Sequence, residues 1–344
     1  MLFRSDYWPT ATWAQGRLTH DVDASAVADV LSSLWTRPSE MGVSLAALVV
    51  HRGRIVAERY GPNTTLDSTL ISWSMAKSMT QAVLGMLTDD GMLDIDAPAN
   101  VPEFAGTEKA SITVRQLLEM RSGLEFVEDY VDDSVSHCLE MLFGAGVDDH
   151  AHYAASLPLQ HPPGEIWSYS SGTTNILARL ATELIGGSET GMRQFLHDRL
   201  FGPLGMTSAD PKFDTAGTWV GSSYVYATAR DFARFGYLYL HDGVWDGVRL
   251  LAQGWVEQAR TMVSIDPDDP NLGYGHQWWI WRDFPGSMAA HGYEGQFIIV
   301  VPDRDLVVVH LGKTSADHRE PLLANLRRLI NAFPVQVSGG KVDQ

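Results

Sequence analysis

Residues 71–78 of the chain read ISWSMAKS, and this short stretch decides the fold that we expect. The residues after it are mostly apolar up to position 87, and Gly91 follows, which predicts a helix over 75–87. Ser74 and Lys77 are three residues apart, so both lie on one face of that helix. Ser74 then lies at the first turn, where unpaired backbone N–H groups and the positive end of the helix dipole point.

Ser74 and Lys77 have the residue types that nucleophilic catalysis needs. A serine hydroxyl requires a nearby base, and a neutral lysine can serve if burial lowers its pKa from about 10.4. The backbone N–H of Ser74 could also stabilise a developing oxyanion. The motif alone equally fits a helix-capping serine followed by a solvent-facing lysine. The apolar residues after Lys77 favour a buried helix and a desolvated amine.

Tyr169 lies in a second informative stretch, residues 161–172, which reads HPPGEIWSYSSG. A Pro-Pro-Gly turn leads through a short extended piece to this tyrosine, just before a helix predicted over 175–184. Such a segment can direct a phenol and a hydroxyl into a cleft, where Tyr169 could share a proton with Lys77. An ordinary buried tyrosine with a hydrogen-bonded hydroxyl is the alternative.

A third stretch, residues 290–296, reads AHGYEGQ and immediately precedes a strand predicted over 297–301. Glycines at a strand edge permit a ligand to approach the backbone closely. The backbone N–H of Tyr293 could therefore be a second oxyanion donor. A simple turn before a strand explains the same residues.

The two ends of the chain predict sheet, and the middle predicts helix. Alternating β-rich runs indicate hairpins over 43–60 and 296–311, and leucines at helical spacing indicate a helix over 316–332. Further helices are predicted in the middle, over 114–120, 175–184, 191–200 and 231–240. We expect an α/β (α+β) fold in which residues 1–92 and 216–344 form a body with an antiparallel sheet. Residues 93–215 form an inserted, mostly helical domain, and a cleft between the two would hold a small molecule.

Composition excludes several classes of partner. The chain has 25 Lys and Arg against 42 Asp and Glu, a net charge of -17, which disfavours nucleic acid and anionic membranes. Cys138 is the one cysteine, so no internal disulfide can form. The N-terminal residues do not read as an export signal, no apolar stretch approaches membrane-spanning length, and we expect a cytoplasmic location. Residues 148–152 hold Asp and His without metal-ligand spacing, so we expect a solvated loop and no metal.

Together the three stretches resemble the motif set of the serine β-lactamases and penicillin-binding proteins. The sequence is most similar to the class C branch, which includes the family VIII carboxylesterases and the 6-aminohexanoate-dimer hydrolases. The resemblance extends over about residues 40–330. Supporting phrases are QLL at 116–118, RSGL at 121–124, FGPLGM at 201–206 and ARDFARFG at 229–236.

The resemblance implies a role for each of several residues. Ser74, Lys77 and Tyr169 would be catalytic, and the backbone amides of Ser74 and Tyr293 would bind the oxyanion. Tyr130, in a loop over 128–133, would close over the substrate, and Trp279 would form a pocket wall. The resemblance also implies three further substrate contacts, by Ser171, His291 and Gly292. It implies no cofactor.

The expected activity is hydrolysis of a small ester or amide through an acyl-enzyme on Ser74. β-Lactam or D-Ala-D-Ala peptide cleavage is the alternative with the same chemistry. It is weakened because the chain has His291-Gly292-Tyr293 where lactam-binding members have Lys-Thr-Gly. A catalytically silent binding or sensor protein on the same fold is the third hypothesis. The sequence does not fix the oligomeric state.

Overall fold

The computed structural model describes residues 7–130 and 135–336, and its strands come mainly from the two ends of that range. In chain order the strands are β1 (Val43–His51), β2 (Arg54–Tyr60), β3 (Leu70–Ile71), β4 (Asp210–Pro211), β5 (Val225–Ala227), β6 (Val244–Trp245), β7 (Val248–Arg249), β8 (Ser264–Ile265), β9 (Leu272–Tyr274), β10 (Trp279–Trp281), β11 (Met288–Gly292), β12 (Gln296–Val301) and β13 (Leu306–Lys313).

Eight of these strands form one antiparallel sheet in the order β2-β1-β13-β12-β11-β10-β9-β8. Strand β1 from the N-terminal part pairs with β13 from the C-terminal part, with Val49 opposite Val308. The predicted antiparallel sheet built from both ends of the chain is therefore confirmed, as are both predicted hairpins. A smaller sheet in the order β3-β5-β4 lies beside the start of the helix that carries Lys77.

Helices cover both faces of the large sheet and fill the middle of the chain. They are α1 (Ala24–Thr36), α2 (Pro38–Met41), α3 (Met75–Asp89), α4 (Val114–Leu118), α5 (His137–Phe143), α6 (His150–Ser156), α7 (Ser171–Leu184), α8 (Glu189–Phe195), α9 (Gly202–Leu204), α10 (Ala229–Leu240), α11 (Trp255–Arg260) and α12 (Ala316–Asn331).

The central strands are apolar on both faces because each face packs on helices. Successive side chains of a strand point to opposite sides. Accordingly, Ile298 and Val300 belong to the core shared with α3 and α10, and Ile299 and Val301 belong to the core shared with α1 and α12. Helix α10 approaches closely at Gly236, where an added Cβ would lie 2.7 Å from Ile298 Cγ2. This packing fixes α3 and α10 against the sheet that ends at the candidate site.

The middle of the chain is helical, with three differences from the prediction. Helix α7 begins at Ser171 instead of 175, because the Ser170 side chain accepts from the Thr173 N–H and caps the helix four residues earlier. The helix predicted over 191–200 is α-helical only to Phe195. A π-helical turn, Leu196–Phe201, follows it, and Pro203 has no N–H to continue an α-helical ladder.

The third difference corrects the solvated loop expected over 148–152. Asp149 caps α6 by accepting from the His152 N–H, and His150 is buried with its Nδ1 atom 3.2 Å from Asp214 Oδ2. The capping aspartate was the sequence signal for this helix. Within residues 7–130 and 135–336, no group of three or more His, Cys, Asp and Glu side chains is arranged to hold a metal ion.

The boundaries of the inserted domain stay a prediction. Residues 93–215 contain mostly helices in the structure, but β4 lies inside this range and pairs with β5 outside it. Among the helices in the described ranges, none combines the length and the apolarity that crossing a bilayer requires.

Candidate active site

Ser74 lies where β3 gives way to α3, at the N-cap position of that helix. The preceding Trp73 has φ +44°, a left-handed conformation that is unfavourable for a bulky residue. Two neighbouring segments hold this turn. The Ser72 hydroxyl donates to Ser223 O, just before β5, at 3.1 Å, and the Ser72 carbonyl lies so close to Gly292 on β11 that an added Cβ there would be 2.3 Å away. The strained, anchored turn places the Ser74 side chain in a cavity.

The Lys77 amine is buried and has three oxygen neighbours. Its Nζ atom lies 2.9 Å from Ser74 Oγ, 2.8 Å from Ser171 Oγ and 3.1 Å from Ser222 O. Burial lowers the pKa of Lys77 below its usual value, and the negative charge of Glu128 opposes that shift. The arrangement favours an uncharged amine next to a serine hydroxyl, which is what a general base requires.

Tyr169 lies against the same amine. The centroid of its ring is 4.9 Å from Lys77 Nζ, and its hydroxyl interacts with the Ser74 side chain. Burial raises the pKa of Tyr169 well above its usual range, and the nearby Glu128 charge adds to the increase. The phenol therefore stays protonated, so it is suited to donating a proton or a hydrogen bond and not to acting as a phenolate.

A small cavity of about 90 Å³ opens at Ser74. Aromatic and aliphatic side chains form most of its wall, and helix α5 supplies four of the lining residues. Tyr130 and Tyr293 both contribute to the wall, with ring centroids 4.8 Å apart. The lining residues are Trp73, Ser74, Tyr130, Cys138, Leu139, Leu142, Phe143, Ser171, Ser223 and Tyr293.

Side-chain hydrogen bonds fix the backbone of the turn that carries Tyr293. Gln296 Nε2 donates to Tyr293 O at 3.0 Å and to Glu294 O at 3.1 Å, and His310 Nδ1 lies 2.7 Å from Gly295 O. These contacts fix the backbone that follows β11, and the predicted oxyanion donor, the Tyr293 N–H, belongs to this backbone. Oxyanion stabilisation needs a donor that is fixed before the reaction, and the role of the Tyr293 N–H as this donor stays a prediction.

The predicted pocket residues on β10 and β11 lie to one side of the cavity. The Trp279 ring packs against Tyr169 with centroids 5.3 Å apart. The His291 ring stacks on Trp279 and its Nε2 atom accepts from Trp281 Nε1 at 2.7 Å, while Gly292 contacts the backbone of Ser72. Trp279 therefore lies directly beside a predicted catalytic residue, and His291 lies in a layer behind Trp279. Their contacts with substrate stay predictions.

Glu128 is the site residue to which sequence reasoning assigned no role. Its carboxylate accepts from the Ser171 N–H at 2.7 Å, the Ser171 hydroxyl at 2.6 Å and the Tyr130 hydroxyl at 2.5 Å. Ser171 thus contacts Lys77 and Glu128 together; it also lines the cavity, and its contact with substrate stays a prediction. The only signal in the sequence was the position of Glu128 two residues before Tyr130. Val131, Asp132 and Asp133 of the same loop lie outside the described residues.

The chain is similar to known proteins over most of its length. The family description "Beta-lactamase" matches residues 39–332. A 6-aminohexanoate-dimer hydrolase from Paenarthrobacter ureafaciens is 30% identical over 286 residues, which cover 77% of this chain and 71% of that protein.

Two solved structures share the fold. A family VIII carboxylesterase superposes with a TM-score of 0.68 at 16% identity, over 92% of this chain and 99% of its own. A class C beta lactamase from Rhodobacter sphaeroides superposes with a TM-score of 0.66 at 16% identity, over 90% of this chain and all (100%) of its own. On the extent of the family match and the identity to the hydrolase, the chain belongs to the beta-lactamase family.

Proposed function

We propose that the chain is a serine hydrolase that cleaves small esters or amides through an acyl-enzyme on Ser74. The observation that carries the proposal is the buried Lys77 amine, 2.9 Å from Ser74 Oγ and lowered in pKa by burial. The 6-aminohexanoate-dimer hydrolase among its relatives and the family VIII carboxylesterase among its structural neighbours support the substrate class.

In the first step Lys77 accepts the Ser74 proton while Ser74 Oγ attacks the carbonyl carbon. The carbonyl oxygen gains negative charge and accepts hydrogen bonds from the backbone N–H groups of Ser74 and Tyr293. The tetrahedral intermediate then collapses: the bond to the leaving group breaks, and that group takes a proton directly from the Lys77 ammonium or from Tyr169, which in turn takes the Lys77 proton. In the second step water attacks the carbonyl carbon of the acyl-enzyme and gives one proton to Lys77. The bond between that carbon and Ser74 Oγ then breaks, the Lys77 ammonium returns the proton to Ser74 Oγ, and the acid is released.

The lining of the cavity supports neutral, small substrates over β-lactams. Its polar groups are the hydroxyls of Ser74, Ser171, Ser223 and the two tyrosines together with the Cys138 thiol, and none of the lining residues is basic. A β-lactam carries a carboxylate, which favours a cationic partner. His291, at the place of the usual lysine, is buried, and burial holds its pKa well below its usual value. It therefore supplies no positive charge at neutral pH.

Mass spectrometry of the intact protein after incubation with p-nitrophenyl esters and with nitrocefin tests the proposal. We expect a mass increase equal to the acyl group, located on Ser74, together with faster turnover of the esters than of nitrocefin. Ser74→Ala should lose both the adduct and turnover, whereas Ser168→Ala, at an exposed serine one residue before Tyr169, should keep them. Faster nitrocefin turnover would favour a β-lactamase, and absence of any adduct on the wild type would favour a binding protein.

A further inference from the structure

The Glu128 carboxylate accepts hydrogen bonds from its neighbours. Its two oxygens receive three donors: the N–H and the hydroxyl of Ser171, and the Tyr130 hydroxyl. The Ser171 N–H belongs to the first residue of α7, a helix of 14 residues, so the positive end of the helix dipole also faces this carboxylate. A carboxylate in this position offers only lone pairs to the Ser171 hydroxyl.

The direction of the Ser171 hydroxyl follows from that carboxylate. A hydroxyl has one proton to donate, and Ser171 donates it to Glu128 Oε1 at 2.6 Å. Toward Lys77 Nζ, at 2.8 Å, the Ser171 oxygen can then only accept. The Ser222 carbonyl, at 3.1 Å, can also only accept. Two of the three oxygens around Lys77 Nζ therefore need a hydrogen bond from a Lys77 N–H group.

These two requirements determine where the Lys77 lone pair points. A neutral amine has two N–H bonds and one lone pair. Ser171 and Ser222 take both N–H bonds, so the lone pair faces the third neighbour, Ser74 Oγ, at 2.9 Å. We propose that Glu128 is a positioning residue that directs the Lys77 lone pair at Ser74 through the Ser171 hydroxyl. The proposal rests on the function proposed above for Ser74 and Lys77.

The same chain of hydrogen bonds accommodates the proton after transfer. When Ser74 Oγ attacks, its proton forms a bond to Lys77 Nζ, and the resulting ammonium has three N–H bonds for the same three oxygens. Glu128 keeps its negative charge and compensates the new positive charge through Ser171. No proton needs to reach Glu128, and the ammonium proton leaves with the departing group.

Glu128 is the charged group in this cluster that counteracts the effect of burial on the pKa of Lys77. Burial raises the pKa of each of the other titratable groups that face Glu128, so these groups are neutral at pH 7. They are Tyr130 in its own loop, Cys138 on α5, Tyr169 before α7 and Tyr274 on β9. The Glu128 charge raises the pKa of Lys77 and so limits the lowering by burial. Removal of this charge should thus change the pH at which Lys77 becomes active.

Glu128→Gln in the full-length protein tests the proposal, with p-nitrophenyl acetate as substrate between pH 5 and 10. The amide can donate to the Ser171 oxygen, whose proton is then free to turn toward the Lys77 lone pair. We expect kcat to fall about tenfold or more with KM changed less, and the acidic limb of kcat/KM to move to lower pH by about one unit. Glu128→Asp keeps the charge, so the acidic limb of its kcat/KM profile should lie at the wild-type pH. Glu125→Gln, at a nearby exposed glutamate, should match the wild type both in kcat and in the acidic limb.

A Glu128→Gln protein that folds but keeps the wild-type acidic limb and kcat would overturn the proposal. If that variant does not fold, Ser171→Ala decides, because it removes the link while it leaves the charge: kcat should fall by a similar factor, and unchanged kcat would refute the link. Where both variants fold, their combination should cost less than the product of the two separate losses. If the wild type forms no acyl-enzyme, the proposed function is refuted. If the wild type forms the acyl-enzyme and Glu128→Gln has no effect, only the positioning role of Glu128 is refuted.

Discussion

The rings of Tyr130 and Tyr293 touch at the cavity that contains Ser74, with centroids 4.8 Å apart and planes inclined by 38°. Tyr130 comes from the loop after α4, and Tyr293 comes from the turn between β11 and β12. Both rings are partly exposed, so an entering substrate can contact them.

Tyr130→Ala should therefore raise KM more than it lowers kcat. An aromatic contact of this kind contributes about 0.5–1.5 kcal/mol, which corresponds to about a two- to tenfold increase in KM for p-nitrophenyl esters. Tyr130→Phe keeps the ring and removes only the hydroxyl that donates to Glu128, so its KM should stay within about twofold of the wild type. Steady-state kinetics of both variants check this. Equal KM increases in the two would show that the hydroxyl, and not the ring, binds substrate.

Lys77→Met should separate catalysis from folding. Methionine fills a similar volume without an amine, so the general base is lost and kcat/KM should fall by a factor of about 10² or more. The buried Ser171 and Ser222 oxygens lose a donor, but the burial of an amine is also relieved, and these two effects offset each other. We expect near-wild-type circular dichroism and a Tm within a few degrees. A folded variant with more than a tenth of wild-type turnover would remove Lys77 from the mechanism.

The parts of the site that depend on local spacing could be predicted from the sequence. Ser74 and Lys77 share a face because they are three residues apart on a helix, and any helix of this sequence would bring them together. The sheet likewise followed from long apolar runs such as those of β1 and β13. The contact between Lys77 and Tyr169 is not local: the residues around Tyr169 allowed it alongside an ordinary buried tyrosine, and the resemblance to a known motif set favoured it.

The remaining features depend on tertiary contacts that leave no periodic pattern. Strands β8 to β10 have only two or three residues each, too short for an alternation of apolar and polar residues to be visible. Glu128 contacts Ser171, 43 residues away, through a loop without regular structure. His310 reads as part of an apolar strand, yet it supports the turn of Tyr293.

His310 should make stability depend on pH. Burial lowers the pKa of His310 to about 4, from about 6.5 in an unfolded chain. The unfolded chain therefore binds a proton that the folded protein does not, and the free energy of unfolding falls as pH decreases from 6.5 to 4. This residue alone accounts for a loss on the order of 3 kcal/mol, which is complete near pH 4 and absent above 6.5.

Urea unfolding of His310→Asn at pH 7 and pH 5 measures this contribution. The amide can donate to Gly295 O but does not titrate, so the loss between the two pH values should be smaller than in the wild type. His197→Asn is the matched control because the His197 side chain is 75% exposed. Its loss should equal that of the wild type. If His310→Asn and the wild type lose the same free energy, the pH dependence arises elsewhere.

The size of the cavity predicts a preference for short acyl groups. Its volume of about 90 Å³ is smaller than the roughly 150 Å³ of an engineered apolar cavity that holds benzene. The walls contributed by Leu139 and Leu142 can bury a few methylene groups, each of which adds about 0.8 kcal/mol, or about fourfold in kcat/KM, until the cavity is full. Among p-nitrophenyl esters we expect kcat/KM to rise from acetate to butyrate and to fall for octanoate.

Leu139→Ala should move this optimum to longer chains. Leu139 is half-buried and lines the cavity, so its truncation adds space beside Ser74 at a modest cost in stability. The ratio of kcat/KM for hexanoate over acetate should rise by about four- to fifteenfold, since one or two more methylenes can be buried. Leu93→Ala, at a half-buried leucine that does not line the cavity, should leave the ratio unchanged while it lowers stability similarly. If the optimum stays at the same chain length in Leu139→Ala, the bound acyl chain extends from Ser74 in a direction away from α5.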